Sequence, residues 1–448
     1  MDELGRTVAG LMPGILSDLE AMVAIPSIAF PGYPEEPVHR MADTAVRLAR
    51  DAGYRSAATQ VVADGYPPVY AEVPGPPGSP VVILYAHYDV QPAPPEQGWT
   101  TDPWTPTRLP GGRIQGRGAA DDKSGLAVHF GVMKAFGGSP PCTVRLVLEG
   151  MEETNSNLEA FVQAHPEMFG CDVFVAADMG NLQAGVPALT TTLRGDVACR
   201  VTVRTLAHPL HSGVFGGAAP DALMAMMRLL TTLQDEMGDV AVDGVTGRDR
   251  AWEGHQWDTA SFRAGADLPE GVTVTGSGTV SSQLWARPSI STIGIDAPTV
   301  AGSSNALIHE VSAKISMRIV PGTDPDAELD ALVRHLETHA PWGAAVEVER
   351  LRATPPFVCA TQGPGVDAAR AALREAFGSE PGLVGSGGTI PLLETLRSVS
   401  PEAEFLLWGA QDTARARIHA SDESVDPAEI ERMIVAEVVL LERLGASA

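Results

Sequence analysis

The chain of 448 residues has few cysteines, and none of them lie close together in the sequence. Cys142, Cys171, Cys199 and Cys359 never form a Cys-x-x-Cys pair. A disulfide framework needs a dense set of cysteines, and a thiolate zinc site needs closely spaced pairs. The sequence supports neither arrangement, so any metal site in this chain has to be built from histidines and carboxylates.

Basic residues and long apolar runs are also scarce. The chain has 31 lysines and arginines against 56 aspartates and glutamates, which gives a formal net charge of -25. Nucleic acids and anionic membranes attract positive surfaces, so neither is an expected partner. No apolar stretch approaches the ~18 residues that a membrane span requires, and the first residues are acidic where a signal peptide is basic. The sequence predicts a cytoplasmic protein.

The first part of the chain has the pattern of an α/β domain. A single hydrophobic core rarely grows beyond ~250–300 residues, so we expect two domains. Runs rich in Val, Ile and Leu at 81–86, 143–149 and 172–177 are typical of strands buried on both faces of a sheet. Residues 38–52 and 123–136 have the spacing of helices between such strands. Together they predict a mostly parallel sheet flanked by helices.

The pattern changes near residue 194. Apolar and polar residues alternate at 197–203, as on a strand with one solvated face. The elements that follow have the order β-α-β-β-α-β, which is typical of a ferredoxin-like α+β unit. We therefore predict an α/β domain formed by residues 1–193 and 353–448, interrupted by a ferredoxin-like α+β domain at 194–352.

Titratable residues follow three of the predicted strands. The runs 81–86, 143–149 and 172–177 each end just before one or more such residues, at the edge where open α/β sheets bind ligands. These residues are His87 and Asp89, Glu152 and Glu153, and Asp178. Asp121 opens a predicted helix, where the helix dipole favours negative charge. We expect all of these side chains to meet in one cleft.

The carboxylates in this group would repel one another in a partly dry cleft. They are Asp89, Asp121, Glu152, Glu153 and Asp178. No lysine or arginine is placed to neutralise all of them, whereas one or two divalent cations would do so. Imidazole and carboxylate ligands without thiolate suit zinc, manganese or cobalt.

Two short motifs suggest how the work is divided. In His87-x-Asp89 both side chains lie on one face of an extended segment, so Asp89 can accept a hydrogen bond from the ring nitrogen that faces away from a metal. In Glu152-Glu153 one carboxylate can bind metal while its neighbour transfers a proton from a metal-activated water.

Candidate residues also occur further along the chain. His211 precedes a glycine-rich turn in the predicted insert, and His419 follows the last predicted strand, so that it could close a metal site. The glycine-rich segment 385–391 is predicted to open a helix whose N–H groups could hold a substrate carboxylate. It lacks the lysine of a phosphate-binding loop, so nucleotide binding is not expected.

A set of ordered motifs resembles a known family. The motifs lie at 87–92, 116–125, 149–153, 210–217 and 387–391. They are similar to those of the aminoacylase/carboxypeptidase G metallopeptidase family, and in particular to its cytosolic nonspecific dipeptidase (carnosinase-like) branch. The resemblance implies a catalytic domain that is interrupted by a lid and dimerisation domain.

The resemblance also implies roles for the residues of the metal site. Asp121 would bridge two divalent metals, His87 and Asp178 would complete one site, and Glu153 and His419 the other. Zinc is the expected metal, with manganese or cobalt as alternatives. Asp89 would orient His87, and Glu152 would be the general base.

The remaining implied roles concern the substrate. In a homodimer, His211 would reach the partner's active site and stabilise the oxyanion. Arg318 would bind the substrate carboxylate. The other implied substrate contacts are Ser386, Gly387, Gly388, Thr389 and Asn305.

The implied activity is hydrolysis of the amide bond of dipeptides or similar small peptides. Two alternatives stay open on the sequence alone. One is an N-acyl amino acid deacylase of the acetylornithine or succinyl-diaminopimelate type. The other is a non-catalytic metal-binding homologue. Residues 154–157 depart from the Ser-Gly-Ser that usually follows the glutamate pair, which concerns specificity rather than hydrolysis.

Overall fold

A computed structural model describes residues 3–154, 156–388 and 390–446 of the chain. The larger of its sheets has four adjacent parallel strands at its centre. In spatial order these are Thr143–Glu149, Val81–His87, Val173–Ala176 and Glu404–Leu407. Their apolar runs are almost wholly buried, as expected for parallel strands covered on both faces.

Antiparallel strands extend this sheet on both sides. On one side, Val69–Val73 pairs with Thr143–Glu149, and Ala58–Thr59 pairs with Val69–Val73. On the other side Ala188–Leu193 runs antiparallel to Glu404–Leu407. Ala188–Leu193 also pairs with the short strand Phe357–Val358 and, in parallel, with Gly382–Ser386. The sheet is therefore parallel in its middle and mixed at its margin.

Helices cover both faces of this sheet. Along the strand Val81–His87, Val82 and Leu84 face one apolar core while Ile83 and Tyr85 face the other. The first core is covered by Glu3–Val23, Glu36–Ala52, Lys123–Ala135, Pro364–Phe377 and Pro427–Ala446. The second is covered by Leu158–Ala164, Pro166–Phe169 and Leu392–Val399. This two-sided packing is the α/β arrangement that the sequence predicts.

A second sheet with its own apolar core lies within the insert. Its antiparallel strands, in spatial order, are Ser289–Asp296, Glu310–Ile319, Gly195–Arg204 and Ala345–Thr354. The helices Ala222–Thr231 and Pro325–Thr338 pack on it. Taken in chain order as strands 1 to 4, their spatial order is 2-3-1-4, the order of a ferredoxin-like unit. The predicted fold class is confirmed.

The described residues also form short helices and strands. They are Pro95–Gln97, Thr107–Arg108, Ile114–Gln115, Gly180–Asn181, Leu210–His211, Ser212–Phe215, Thr259–Gly265, Ser282–Ala286, Ala306–Leu307, Pro341–Gly343, Gln411–Asp412, Thr413–Ala416 and Ser424–Val425. Among the residues with described positions, no helix is both long enough and apolar enough to cross a bilayer.

The glycine-rich segment at 385–391 begins at the end of a strand and is followed by a helix. Gly385 and Ser386 end the strand Gly382–Ser386, which pairs in parallel with Ala188–Leu193. The helix begins at Leu392, directly after the segment. The sequence therefore predicts the helix but not the strand before it, which depends on tertiary pairing.

Candidate metal centre and substrate cleft

A cleft of about 690 Å³ opens at the carboxyl ends of the central parallel strands. Val81–His87 ends in His87 itself, and the strand Thr143–Glu149 runs into the turn that carries Glu152 and Glu153. Asp178 follows Val173–Ala176 in the same way. Because parallel strands deliver their carboxyl ends to one edge, these side chains converge as the sequence predicts.

Asp121 lies between two histidines. Its Oδ1 is 3.1 Å from His87 Nε2, and its Oδ2 is 3.0 Å from His419 Nε2. Asp178 Oδ1 is 3.7 Å from His87 Nε2 on one side, and Glu153 Oε2 is 3.3 Å from His419 Nε2 on the other. One carboxylate is thus shared by two groups of ligand atoms, each with one histidine and one further carboxylate.

The chemistry of these groups fits divalent metal ions. Ligand atoms of His87, Asp121 and Glu153 lie within 4.8 Å of one another, and so do those of His87, Glu152 and Asp178. Glu153 Oε1 is buried and has no hydrogen-bond partner among the described residues. A buried polar atom without a partner is costly, and coordination to a cation would satisfy it.

The ionisation of the cluster points to the same need for cations. Burial raises the pKa of Asp178 to about 6, and the nearby carboxylates Asp121 and Glu153 raise it too. Burial and the charge of Asp178 raise the pKa of Glu152. Burial alone would lower the pKa of His419, but its bonds to Asp121 and Glu153 outweigh that and raise it to about 11. Without metal, protons on the histidines supply the positive charge that the carboxylates require.

Asp89 connects His87 to the turn that carries the glutamates. Its carboxylate is buried and accepts hydrogen bonds from the backbone N–H groups of Glu152 (3.0 Å) and Glu153 (3.1 Å). His87 Nδ1 lies 3.1 Å from the backbone oxygen of Asp89 and 3.5 Å from its Oδ1. Donation from Nδ1 leaves Nε2 free to bind metal. The backbone oxygen and the carboxylate of Asp89 therefore both orient the ring of His87.

Glu423 is a positioning residue that the sequence reasoning missed. Its carboxylate is fully buried and accepts a charged bond from Arg117 Nη1 at 2.8 Å. It also accepts hydrogen bonds from the backbone N–H groups of Gly118, Ala120 and Asp121, at 3.1, 2.9 and 3.0 Å. These bonds fix the loop that presents Asp121. The contact spans about 300 positions of sequence, so no local pattern signals it.

Amide side chains hold two of the candidate ligands. Gln91 Nε2 donates to Glu153 Oε2 at 2.7 Å, and Gln411 Nε2 lies 3.5 Å from Asp178 Oδ1. Gln91 was also missed, although a signal was present: His87, Asp89 and Gln91 are spaced by two, which places them on one face of an extended segment.

The candidate substrate residues fall into two groups. Arg318, Ser386, Gly387 and Gly388 line the same cleft as the candidate metal ligands Asp121, Glu153, Asp178 and His419. Gly388 N–H donates to Ser386 Oγ at 3.0 Å, which orders the loop. Thr389 lies outside the described residues.

Arg318 belongs to a charged group at the insert side of the cleft. Asp196 is 3% exposed and lies 4.0 Å from Arg318 Nε, and it also pairs with Arg352. Burial and the charge of Arg318 lower the pKa of Arg194 to about 10. The sequence predicts Arg318 alone, since Asp196 and Arg352 belong to no motif and are brought to it by strand pairing.

His211 and Asn305 lie elsewhere. Both are exposed, and neither is among the described residues that line the cleft. Leu210–His211 pairs with Ala306–Leu307, and the Asn305 backbone oxygen accepts Ser212 N–H at 3.0 Å. The two residues are therefore neighbours on the insert and lie outside the cleft of the candidate metal ligands in their own chain.

The fold and the site together define an α/β protein with an inserted α+β unit, in which one carboxylate is shared between two histidine-containing groups. Residues 83–443 match peptidase family M20/M25/M40, so the chain belongs to this family. The predicted family and the prediction of a metallopeptidase are confirmed.

Several relatives are dipeptidases by name. The chain is 39% identical over 375 residues to the cysteinylglycine-S-conjugate dipeptidase of Corynebacterium striatum, covering 82% of each chain. It is 29% identical to the Beta-Ala-His dipeptidase of Rattus norvegicus, covering 91% of this chain and 88% of that one. The crystal structure of human carnosine dipeptidase 1 aligns with a TM-score of 0.84 at 25% identity, covering 99% of this chain and 98% of that one.

Proposed function

We propose that this protein is a dipeptidase that hydrolyses its substrate with two divalent metal ions. The observation that carries the proposal is the position of Asp121 between His87 and His419, in one cleft with Glu152. The arginines at the insert side of this cleft provide the charge that a free substrate carboxylate requires. The dipeptidase relatives support this substrate class.

Each metal would have its own ligands and share Asp121. His87 and Asp178 would hold the first ion, and Glu153 and His419 the second. We propose zinc, because imidazole and carboxylate donors suit it, with manganese or cobalt as the alternatives to test. When bound, the metals polarise the scissile carbonyl and lower the pKa of the attacking water.

Glu152 is the proposed general base and acid. Its carboxylate takes a proton from the attacking water and then gives that proton to the departing amine nitrogen. The backbone N–H groups of Glu152 and Glu153 donate to the Asp89 carboxylate, and these bonds fix the positions of the proton carrier and of the neighbouring ligand. Asp89 thereby acts through the orientation of other residues rather than on the substrate.

Substrate binding is assigned to the charged side of the cleft. Arg318 would pair with the substrate carboxylate, assisted by the loop of Ser386, Gly387 and Gly388. We keep Thr389 in this loop as a prediction from sequence.

We further propose that the insert, residues 194–352, is a lid and dimerisation domain, and that 1–193 with 353–448 form the catalytic domain. His211 and Asn305 are exposed on the insert and outside their own cleft, which suits residues that reach a partner's cleft. His211 would stabilise the oxyanion there. A cytoplasmic location stays a prediction, and unpaired Cys142, Cys171, Cys199 and Cys359 agree with a reducing compartment.

A substrate panel tests the proposal. The purified protein is stripped of metal, loaded with zinc, manganese or cobalt, and assayed with dipeptides, cysteinylglycine, its S-conjugates, N-acetylornithine and N-succinyl-diaminopimelate. We expect metal-dependent hydrolysis of dipeptides and little of the N-acyl compounds. Preference for the N-acyl compounds would assign a deacylase, and metal-loaded protein without activity on any amide would overturn the proposal.

A further inference from the structure

Left-handed backbone is concentrated where the insert meets the loop of residues 417–422, which we call the His419 loop. Among the described residues, five other than glycine have a positive φ, and one of these, Trp342, lies elsewhere on the insert. The other four are Asp267 at 48°, Arg417 at 54°, His419 at 62° and Asp422 at 60°. This conformation is disfavoured for residues with a Cβ atom, so it persists only where surrounding contacts hold it.

The conformation of Asp267 comes from the end of the helix Thr259–Gly265. Asp267 N–H donates to the Ala264 backbone oxygen at 3.3 Å, and Leu268 N–H donates to that of Arg263 at 3.1 Å. This pair of hydrogen bonds is the left-handed turn that ends many helices, and glycine or asparagine usually occupies the position of Asp267. An aspartate is less favoured there than glycine, so its carboxylate needs a reason to be present.

The Asp267 carboxylate forms an ion pair with Arg417, two residues before His419. We propose that Asp267 is a positioning residue for His419. From the insert it holds Arg417, and thereby the backbone that presents the His419 ring to Asp121 and Glu153. This inference rests on the proposed function, in which His419 binds the second metal, and it makes that binding depend on a residue of the insert.

Packing between helices closes the same contact. The helix Thr259–Gly265 packs on Thr413–Ala416, which directly precedes Arg417. Gly265 approaches so closely that a Cβ atom at this position would lie 3.3 Å from Ala414 Cα. Arg417 therefore extends from a segment that already rests on the insert.

The far end of the His419 loop is held from outside the insert. Asp422 Oδ1 accepts hydrogen bonds from Thr100 N–H at 2.9 Å, from Thr100 Oγ1 at 2.8 Å and from Gln115 Nε2 at 2.9 Å. The loop thus has one anchor at Asp422 and another at Arg417. The anchor at Arg417 depends on where the insert lies, so the position of the insert is coupled to that of His419.

Burial does little to fix His419 itself. Its side chain is 52% exposed, whereas those of Asp121 and Glu153 are 7% and 4% exposed. A half-exposed ring on a left-handed backbone takes its orientation from its loop. The anchors of the loop therefore determine how well the second group of ligand atoms is formed.

Metal titration of the stripped protein tests the inference. Zinc is added in competition with a metal-binding dye, and the second site is identified as the one that His419→Ala loses. Asp267→Asn removes the charge and keeps a residue that tolerates the left-handed turn. We expect the second site to weaken about two- to fivefold, the range of an exposed ion pair, while the affinity of the first site and the melting temperature stay unchanged.

Two further variants test the contact from its other sides. Arg417→Ala should weaken the second site as much as Asp267→Asn does. The double variant should match either single variant, because all three remove the same contact. Gly265→Val places a branched side chain against Ala414, which forces the helix away from the His419 loop, so the second site should weaken more than in Asp267→Asn.

Asp330→Ala is the matched control. Asp330 forms an ion pair of similar exposure with Arg350 on the insert, and neither residue is among those described as lining the cleft. This variant should leave both metal affinities unchanged.

The outcomes separate the inference from the proposed function. Wild-type affinity for the second metal in Asp267→Asn, Arg417→Ala and Gly265→Val would overturn the inference, while two bound metals and dipeptide hydrolysis would leave the function intact. Equal weakening of both sites in Asp267→Asn would also overturn it, in favour of general destabilisation. Wild-type protein that binds fewer than two metals, or hydrolyses no dipeptide, would reject the proposed function and this inference with it.

Discussion

Glu152 combines two properties that a proton carrier needs. It lines the cleft beside Asp178, and its pKa is raised by burial and by that neighbour's charge. We predict that Glu152→Gln keeps its bound metal but loses about 10²- to 10⁴-fold in kcat, the usual contribution of a general acid–base group. Elemental analysis and steady-state kinetics measure the two quantities. Glu96→Gln, at an exposed glutamate, is the control, and near wild-type turnover in Glu152→Gln would reject the assignment.

Arg318 offers a second test at a single side chain. Loss of a charge-assisted hydrogen bond to substrate commonly costs ~1.5–3 kcal/mol, which is about a 10- to 150-fold rise in KM. Arg318→Ala should show this rise for a dipeptide but not for the corresponding dipeptide amide, which has no carboxylate. Arg350→Ala, which breaks only an exposed pair with Asp330, should leave both KM values unchanged. Equal effects of Arg318→Ala on both substrates would contradict the role.

Residues differ in how far the sequence predicts them. His87 and Asp178 were predictable because each follows an apolar run, and strand ends meet at one sheet edge. Asp196 was not, because its partners Arg318 and Arg352 come from other strands whose pairing no short pattern encodes. His419 was assigned mainly by resemblance, because it does not end a strand: it lies in a loop after Thr413–Ala416 and has a positive φ of 62°.

The loop that presents Asp121 depends on an acceptor from the far end of the chain. Glu423 accepts hydrogen bonds there from three backbone N–H groups and from the guanidinium of Arg117. In Glu423→Gln one carboxylate oxygen becomes an NH₂ group, so at least one of these donors loses its acceptor. We predict at least about tenfold weaker metal binding, the size of effect known for residues that orient ligands. Competition with a metal-binding dye measures the affinity.

Glu429→Gln provides the matched control for this loop. Glu429 is also fully buried and accepts from Asn181 and from Gly185 N–H, but it contacts no candidate metal ligand. This variant should lower the melting temperature and leave the metal affinity unchanged. If both variants weaken metal binding equally, the effect of Glu423 is general destabilisation rather than positioning.

Elements were predicted well where local signals and packing agree. The strand Val81–His87 and the helix Lys123–Ala135 have apolar patterns that match their burial. Gly382–Ser386, which overlaps the start of the glycine-rich segment, was not predicted as a strand, yet pairing with Ala188–Leu193 makes it one. Its conformation depends on a neighbour about 190 positions away, which local propensity does not contain.

The metal-free protein should lose stability as pH rises. Folding raises the pKa of Asp178 from 3.8 to about 6 and that of Glu149 from 4.5 to about 7, both mainly through burial. The folded state then binds protons that the unfolded state has released, so stability falls as pH rises through these windows. The pKa of His419, raised from 6.5 to about 11, acts in the same direction above pH 6.5.

Thermal unfolding in a chelator at pH 5, 6.5 and 8 tests this expectation. The melting temperature of the stripped protein should decrease across the series, and added zinc or manganese should restore it most at pH 8, where fewer protons compete with the metal. A melting temperature of the stripped protein that is constant or increases with pH would contradict the proposed role of the cations.

The proposed site, shared between two chains of a homodimer, predicts complementation. His211→Ala and Glu152→Gln should each be inactive alone, because one lacks the donated histidine and the other lacks the base. Mixed after reversible dissociation, they should regain about a quarter of wild-type activity, since about half of the dimers then contain one competent site of two. Glu152→Gln mixed with His87→Ala should regain no activity, because each change disables the active site of its own chain and every site in the mixture then carries one defect. Failure of the first mixture would assign His211 to its own chain or to no active site.

Because His419 lies far along the chain from the other candidate ligands, it is made long after them. A ribosome releases His87, Asp121, Glu153 and Asp178 first, then the whole insert, and His419 only near the end. A nascent chain therefore has the proposed ligands for the first metal long before it can complete the proposed second site. Polypeptides cut short before residue 419 would lack His419 and also Glu423, which holds the loop of Asp121, so an intact carboxyl-terminal segment is needed both to complete the proposed site and to order it.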